Sequence, residues 1–318
     1  MNRATGADSA LCTTDWTADM QEPINIQWFP GHMTKARRMI AEELKLVDAV
    51  CEVIDARIPM SSRNPDMDDL IKEKPRLIVM NRADQADEAV TAEWRTFFEQ
   101  NGIQVMLTDC KSGKGTDGFS NAVRRLLKER LDALAAKGQV GRKLRVMVLG
   151  IPNVGKSSLI NRIAKRKSAL ASDKPGVTRG RQWVNIDKSL ELLDTPGVLW
   201  PKFDSQTVGE NLAFTGAVKD DVVEIETLGA NLISRLSLQY PDRLKERYKF
   251  DSVGEESGYE LLEKAAEKRG FLLRGGERDI RRMASILLDE FRGGKLGRIS
   301  LERPPLTENK DGFLGDRE

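Results

Sequence analysis

The stretch GIPNVGKSS, Gly150 to Ser158, follows the apolar run LRVMVL and opens onto SLINRIAKR, a helical pattern. The spacing G-x-x-x-x-G-K-[ST] between a strand and a helix is that of a loop built to hold phosphates. Its glycines let the backbone wrap the phosphate oxygens, and the amides from Asn153 and Val154 through Gly155 to Ser157 and Ser158 add positive potential at the helix N-terminus. Lys156 is placed to reach the β- and γ-phosphates, and the Ser157 hydroxyl to ligate Mg²⁺. Some forty residues later DTPG ends another apolar run. There the Asp194 carboxylate can hold the Mg²⁺ shell and the Gly197 N–H can bond a γ-phosphate oxygen. PGVTRG lies between the two motifs and supplies Thr178 as a second Mg²⁺ hydroxyl. A loop of that kind, ordered by triphosphate, collapses when the γ-phosphate leaves.

NRAD, Asn81 to Asp84, follows the run RLIVM. GTPases read guanine with Asn-Lys-x-Asp: the Asp accepts from the N1 and N2 hydrogens, the Asn fixes the loop and N7, and the Lys stem covers the base. Arg82 stands in the Lys position, where its planar head can still stack on a ring. With phosphate motifs present, NRAD favours GTP over ATP. The next run leads into TDCKSGKG, with Lys111 at its centre. It is similar to the Ser-Ala-Lys loop that closes over guanine. Base motifs therefore precede phosphate motifs, the reverse of the ordinary order, so the sequence reads as a circular permutation of a GTPase domain. A parallel sheet permits this, because its strands must be adjacent in space and not in a given chain order.

The elements that must position these residues are legible as alternating patterns. DAVCEVIDA (48–56), RLIVMN (76–81), IQVML (103–107) and LRVMVLG (144–150) read as buried parallel strands. Helical patterns run over 34–46, 87–101 and, as one long helix, 117–137. QWVNID and SLELLD suggest an antiparallel pair. Repeated β-α units imply an α/β domain with a mainly parallel sheet, over 24–205. Beyond Pro201 the strand signal fades, and 206–302 reads as a small all-helical domain. Ile280, Met283, Ala284, Leu287, Leu288 and Phe291 form one apolar face there, with Ile286 outside it. The N-terminal residues 1–23 read as a flexible tail. LERPPLTENKDGFLGDRE, starting at Leu301, is polar and Pro-containing and reads as mobile, with the tail itself drawn at 303–318.

Net charge is only +2, but its distribution is uneven. Residues 162–181 hold seven Lys/Arg against Asp173 alone, and 264–303 hold eleven basic against six acidic side chains. Such patches point to a polyanionic partner, nucleic acid above all; solvated faces are the plain alternative. Arg281, Arg282, Lys295 and Arg298 are the candidate RNA contacts. Three widely spaced cysteines show no metal-ligand pairing, and Cys51 reads as a reduced core residue. No apolar run approaches the ~20 residues of a membrane span. The N-terminus matches neither a secretory signal nor an Arg-rich transit peptide, so the reading is cytoplasmic.

WFPGHM (28–33), DARIP (55–59), SRNP (62–65), NRAD, GIPNVGKSS, PGVTRG, DTPG and FRGGKLGRI (291–299), in this order, resemble the YlqF/RbgA family, ribosome biogenesis GTPase A. The resemblance covers about 24–302, with Arg82 and Asp109-Cys110 as departures. It implies a bacterial, circularly permuted GTPase that acts in late assembly of the large ribosomal subunit, whose rRNA the basic helical domain would contact mainly through phosphates. The expected protein is a monomer, stimulated by the subunit. Where a Ras-like enzyme places a water-orienting Gln after DTPG, this chain has Val198. The resemblance gives the catalytic role to the histidine of WFPGHM, His32, the only histidine in the chain. It could hold water as a neutral imidazole or stabilise charge as an imidazolium. Lys156 and Thr178 complete the expected catalytic set. Asn153 occupies the P-loop position that ligates K⁺ in potassium-activated GTPases. Two other readings stay open on sequence alone: a nucleotide-sensing RNA-binding module with incidental hydrolysis, and a P-loop ATPase.

Overall fold

The structure is a computed structural model and describes residues 33–71, 74–139, 141–164, 182–200, 203 and 205–305. Its sheet, six strands among the described residues, runs β3-β2-β1-β4-β6-β5. The strands are β1 (Ala49–Asp55), β2 (Arg76–Asn81), β3 (Gln104–Thr108), β4 (Leu144–Leu149), β5 (Gln182–Asp187) and β6 (Leu190–Asp194). All pairs are parallel except β5 with β6. β1 is buried along its whole length, as expected of a central parallel strand covered on both faces. The chain lays down β1, β2 and β3 outward in one direction, then returns to place β4 on the other side of β1. That reversal opens a crevice at the carboxyl ends of β1 and β4, where open α/β sheets bind ligands. Register puts Thr108, Asn81 and Asp55 side by side at this edge, and Asp194 beside Val148.

Side chains alternate between the two faces. Cys51, Val53, Leu77, Val79, Val146 and Val148 join one apolar cluster with α4 (Phe119–Leu126) and α6 (Lys156–Ala164). On the opposite face α1 (Met33–Leu44) and α2 (Pro65–Ile71) cover Val50, Met147 and Leu193, while α3 (Glu88–Gln100) covers Ile54, Ile78 and Met80. Asp87 caps α3 by accepting from the amides of Ala89 and Val90. Cys51 is buried and free, and burial pushes its thiol up. The expected long helix over 117–137 is two: it breaks at Leu127, and α5 (Lys128–Ala136) follows. Leu127 is itself buried, whereas α5 buries no residue and so has no apolar face to hold it in line with α4.

Among the described residues after 205 the regular structure is helical apart from one isolated antiparallel bridge, Leu272 with Arg278: α7 (Gln206–Phe214), α8 (Ile225–Gln239), α9 (Pro241–Tyr248), α10 (Gly258–Arg269) and α11 (Ile280–Arg292). α11 buries Met283, Ala284, Leu287, Leu288 and Phe291. Ile286, expected outside the apolar face, is half-buried and packs against the same core, because the helices beside α11 cover more than one stripe. Leu301 and Glu302, expected to be mobile, are docked instead. The Leu301 amide donates to Arg57 O at 2.8 Å, and the Glu302 carboxylate accepts from the amides of Met60 at 2.8 Å and Ser61 at 3.1 Å. Among the described residues no helix is long and apolar enough to cross a membrane.

Candidate guanine nucleotide site

The base and phosphate motifs, far apart in sequence, meet at the crevice. Asn81 is the hinge of the arrangement. Its Nδ2 donates to Val154 O in the phosphate loop at 2.8 Å, and its Oδ1 accepts from the Cys110 amide at 3.1 Å and the Thr108 hydroxyl at 3.4 Å. One buried side chain thus ties three loops together. Gly155, at φ +105°, passes so close that a Cβ there would stand 2.3 Å from Asn81 Nδ2. Arg82 donates from Nη2 to Asn153 O at 2.7 Å, and both residues sit in the left-handed region, at φ 60° and 57°. Lys111 is exposed; its carbonyl and that of Cys110 accept from the Arg162 guanidinium, which clips the TDCKSGKG loop to α6.

Asp84 is exposed and available to a base. Partial desolvation, then the nearby Asp109 carboxylate, push its acid up. Asp109 itself goes the other way: hydrogen bonds from Ser112 and the Lys111 amide outweigh its desolvation.

Lys156 is buried, and its ammonium donates to Gly150 O at 3.0 Å and Ile151 O at 2.8 Å, folded back over its own loop. Desolvation lowers its pKa to about 8 despite the opposing charge of Asp194. Gly197 presses on the same loop: a Cβ there would stand 2.7 Å from Pro152 N and 2.9 Å from Lys156 Nζ. Asp194 is buried at the end of β6, Thr195 anchors the turn by donating to Val148 O at 2.6 Å, and Ser157 and Ser158 are half-buried at the start of α6. A hydroxyl and a carboxylate beside a phosphate loop are the hard oxygen donors that Mg²⁺ takes, so the residues fit that ion. Asn153 Nδ2 donates to Gly216 O at 2.8 Å, which fixes the orientation of its side-chain amide.

The chain is similar to known proteins over most of its length. The family model for the 50S ribosome-binding GTPase matches residues 145–236. Ribosome biogenesis GTPase A from Bacillus cereus is 46% identical over 279 residues, spanning 88% of this chain and 94% of that protein. Its counterpart from Thermotoga maritima is 32% identical, over 88% and 95%. The chain belongs to the ribosome biogenesis GTPase A family. The solved structure of GNP-bound YlqF from T. maritima superposes with a TM-score of 0.63 at 30% identity, covering 85% of this chain and 98% of that one. A GDP-bound YlqF structure gives the same TM-score at 29% identity. Membership makes the chain a circularly permuted GTPase of ribosome assembly, with GTP as its substrate and Mg²⁺ as the metal typical of such sites.

Other expected residues of this family site fall differently. His32 and Thr178 lie outside the described residues. Val198 is half-buried and packs against the apolar cluster of Ile40, Leu149 and Leu193, so its side chain offers water no hydrogen bond. Arg281 and Lys295 are exposed, with no ion pair to an acidic side chain among the described residues. Arg282 stacks over the Phe271 ring at 4.3 Å. Arg298 pairs with Glu88 at 2.5 Å, back on the α/β domain. Much of the basic excess of 264–303 is likewise paired internally, Arg292 with Asp220 and Arg278 with Glu267 among them. Sequence reasoning gave no role to Asp55 and Arg57 of DARIP, to Gly216 or to Arg162. Asp55 and Arg57 form a buried fork, with bonds of 2.9 and 2.8 Å, and an acid-x-base pair at a strand end was the available signal. For Gly216 and Arg162 no local pattern existed.

Proposed function

We propose that this GTPase binds the immature large ribosomal subunit in its GTP state and that hydrolysis, stimulated by the subunit, releases it at a late assembly step. The observation that carries this reading is the pair of bonds Asn81 to Val154 and Arg82 to Asn153, which assemble one guanine nucleotide site from motifs in permuted order. In this reading residues 24–205 form the catalytic domain and 206–302 the rRNA-contacting domain. Asn81, Arg82, Asp84 and Lys111 hold the base. Asn153 to Ser158, Thr178, Asp194 and Gly197 hold the phosphates. Ser157, Thr178 and Asp194 would hold Mg²⁺, which when bound would supply charge to neutralise that developing on the phosphates. Lys156 gives charge to the γ-phosphate; water attacks the γ-phosphorus as its bond to the β–γ bridging oxygen breaks, GDP leaves with that oxygen, the water's proton passes to the released phosphate, and His32 acts where Val198 offers nothing. Asn153 ligates K⁺. Arg281, Arg282 and Lys295 meet rRNA phosphates, with Arg298 contributing only if its bond to Glu88 opens. The protein works as a cytoplasmic monomer.

Multiple-turnover GTP hydrolysis with and without large subunits, in K⁺ and in Na⁺, tests the proposal. Subunits are expected to raise turnover, by up to about 10⁵-fold for a partner-activated GTPase, and K⁺ to outperform Na⁺. His32→Ala is expected to keep GTP affinity and lose most of the stimulated turnover. A rate indifferent to subunits would refute the functional reading, and full stimulated turnover in His32→Ala would remove the histidine from catalysis.

A further inference from the structure

Two routes lead from Asn153 of the phosphate loop to a single place in the helical region. On the first, the Asn153 carbonyl accepts from Arg82 Nη2 at 2.7 Å, and Arg82 Nε stands 3.7 Å from Asp55 Oδ2. Asp55 is held by Arg57, through Nε at 2.9 Å and Nη2 at 2.8 Å, and by the Arg57 amide at 3.0 Å. Arg57 Nη1 then donates to Phe291 O at 2.9 Å, with its guanidinium 4.8 Å from the Phe291 ring centroid. On the second, Asn153 Nδ2 donates to Gly216 O, and Gly216 lies against the Arg292 side chain. Arg292 in turn donates to Ala213 O at 2.8 Å and Phe214 O at 3.1 Å. Both routes end in the last turn of α11, at Phe291 and Arg292.

The first route has the makings of a coupling rather than a brace. Arg57 is 1% exposed and Asp55 2%. A buried ion pair of this kind is weak evidence for stability, because desolvation offsets much of its attraction. What the pair does is keep a charged carboxylate facing Arg82: the Asp55 acid is held below its usual range because Arg57 and Arg82 together outweigh its burial. Arg82 needs that hold, since its left-handed backbone costs about 1 kcal/mol. An arginine can address Asn153 O and Asp55 with separate nitrogens of one planar head, which the single ammonium of a lysine does less well.

We propose that Arg57 is a positioning residue for guanine nucleotide, acting through Asp55 and Arg82 to couple the seating of the base and phosphate loops to the docking of the last turn of α11. The proposal rests on the assignment of NRAD and GIPNVGKSS as the nucleotide site. Because coupling is reciprocal, nucleotide in the loops tightens the α11 contact and a loosened α11 contact weakens nucleotide.

The test is GDP titration calorimetry on the full chain without subunits, for wild type, Arg57→Lys, Arg82→Lys and the double variant. Arg57→Lys keeps the charge but loses the fork and the bond to Phe291. Each single change is expected to weaken GDP about tenfold, and the double variant no more than the worse single, since links of one route are non-additive. A second measurement stands if Arg57→Lys does not fold. In wild type, GDP is expected to slow hydrogen exchange at the Leu301 amide, which donates to Arg57 O, and in Arg82→Lys it is not. Wild-type GDP affinity in a folded Arg57→Lys chain, additive losses, or exchange at Leu301 indifferent to GDP would each overturn the proposal alone. A wild-type chain that binds no GDP would overturn the site assignment as well.

Discussion

Lys156 offers a test whose magnitude follows from its burial. Its ammonium is buried over Gly150 O and Ile151 O, with a pKa lowered to about 8. Bound phosphates would replace those carbonyls with full negative charges and restore the pKa toward its ordinary value of about 10.4. In the free protein the protonated fraction then falls from roughly ten-elevenths at pH 7 to about one-eleventh at pH 9, so GDP affinity is expected to fall about tenfold, or 1.4 kcal/mol. Binding near pH 9 should take up close to one proton. Calorimetry in buffers of differing ionisation enthalpy reads both quantities. Lys156→Arg, which keeps its charge over this range, controls for ionisation of the nucleotide itself. Stability of the empty protein should move the opposite way. The folded pKa lies below the unfolded one, so between about pH 8 and 10.4 the unfolded chain binds more protons and this group adds stability as pH rises. Parallel affinity profiles for wild type and Lys156→Arg, with no proton uptake, would refute the reasoning.

Asp84→Asn replaces an acceptor of two guanine hydrogens by a side chain that presents its own N–H groups. Guanine affinity is expected to fall at least about 10²-fold, while xanthine nucleotides, with a carbonyl in place of the N2 amine, gain; competition binding measures the reversal. Gly155→Ala sets a methyl 2.3 Å from Asn81 Nδ2 at a backbone angle that L-residues avoid. The lost Asn81 to Val154 bond and the strain should together cost about 2–4 kcal/mol, seen as a lower melting temperature and loss of GDP binding. The half-buried Glu302 acid is pushed up by desolvation, only partly offset by bonds from Ser61, Met60 and Asn211. Its folded pKa exceeds its unfolded one, so its contribution is greatest in acid and is lost as pH rises through the folded value. Glu302→Gln should remove that dependence from denaturant midpoints measured across the carboxylate range, and an unchanged pH profile would count against it.

The strands and the phosphate loop were legible because their signals are local: runs such as RLIVM, and a Gly-Lys-Ser spacing that works only between a strand and a helix. The permuted order was legible too, since NRAD and DTPG keep their identity wherever the chain places them. What escaped the reading depends on partners far away in sequence. Glu302 looks like one charge in a polar tail until Met60, Ser61 and Asn211 surround it, and no local pattern announces that Arg298 pairs with Glu88, 210 residues away. Leu127 broke the expected long helix because its side chain is buried while the segment after it lacks an apolar face. His32 and Thr178 were read from their motifs, and their geometry lies outside the described residues.

The permuted sheet also sets an order on synthesis. As the chain emerges, β1, β2 and β3 can pair at once, but the outer edge of β1 stays open until β4 arrives, with Ala49 opposite Val146. An open strand edge beside an apolar face is an aggregation hazard that nascent chains must survive. Guanine nucleotide cannot help at that stage, since the loop that grips its phosphates has not yet been made. The bond from Leu301 to Arg57 forms later still, once the helical region between them has been made, so the strand end that carries Asp55 and Arg57 is braced from both sides only late in synthesis.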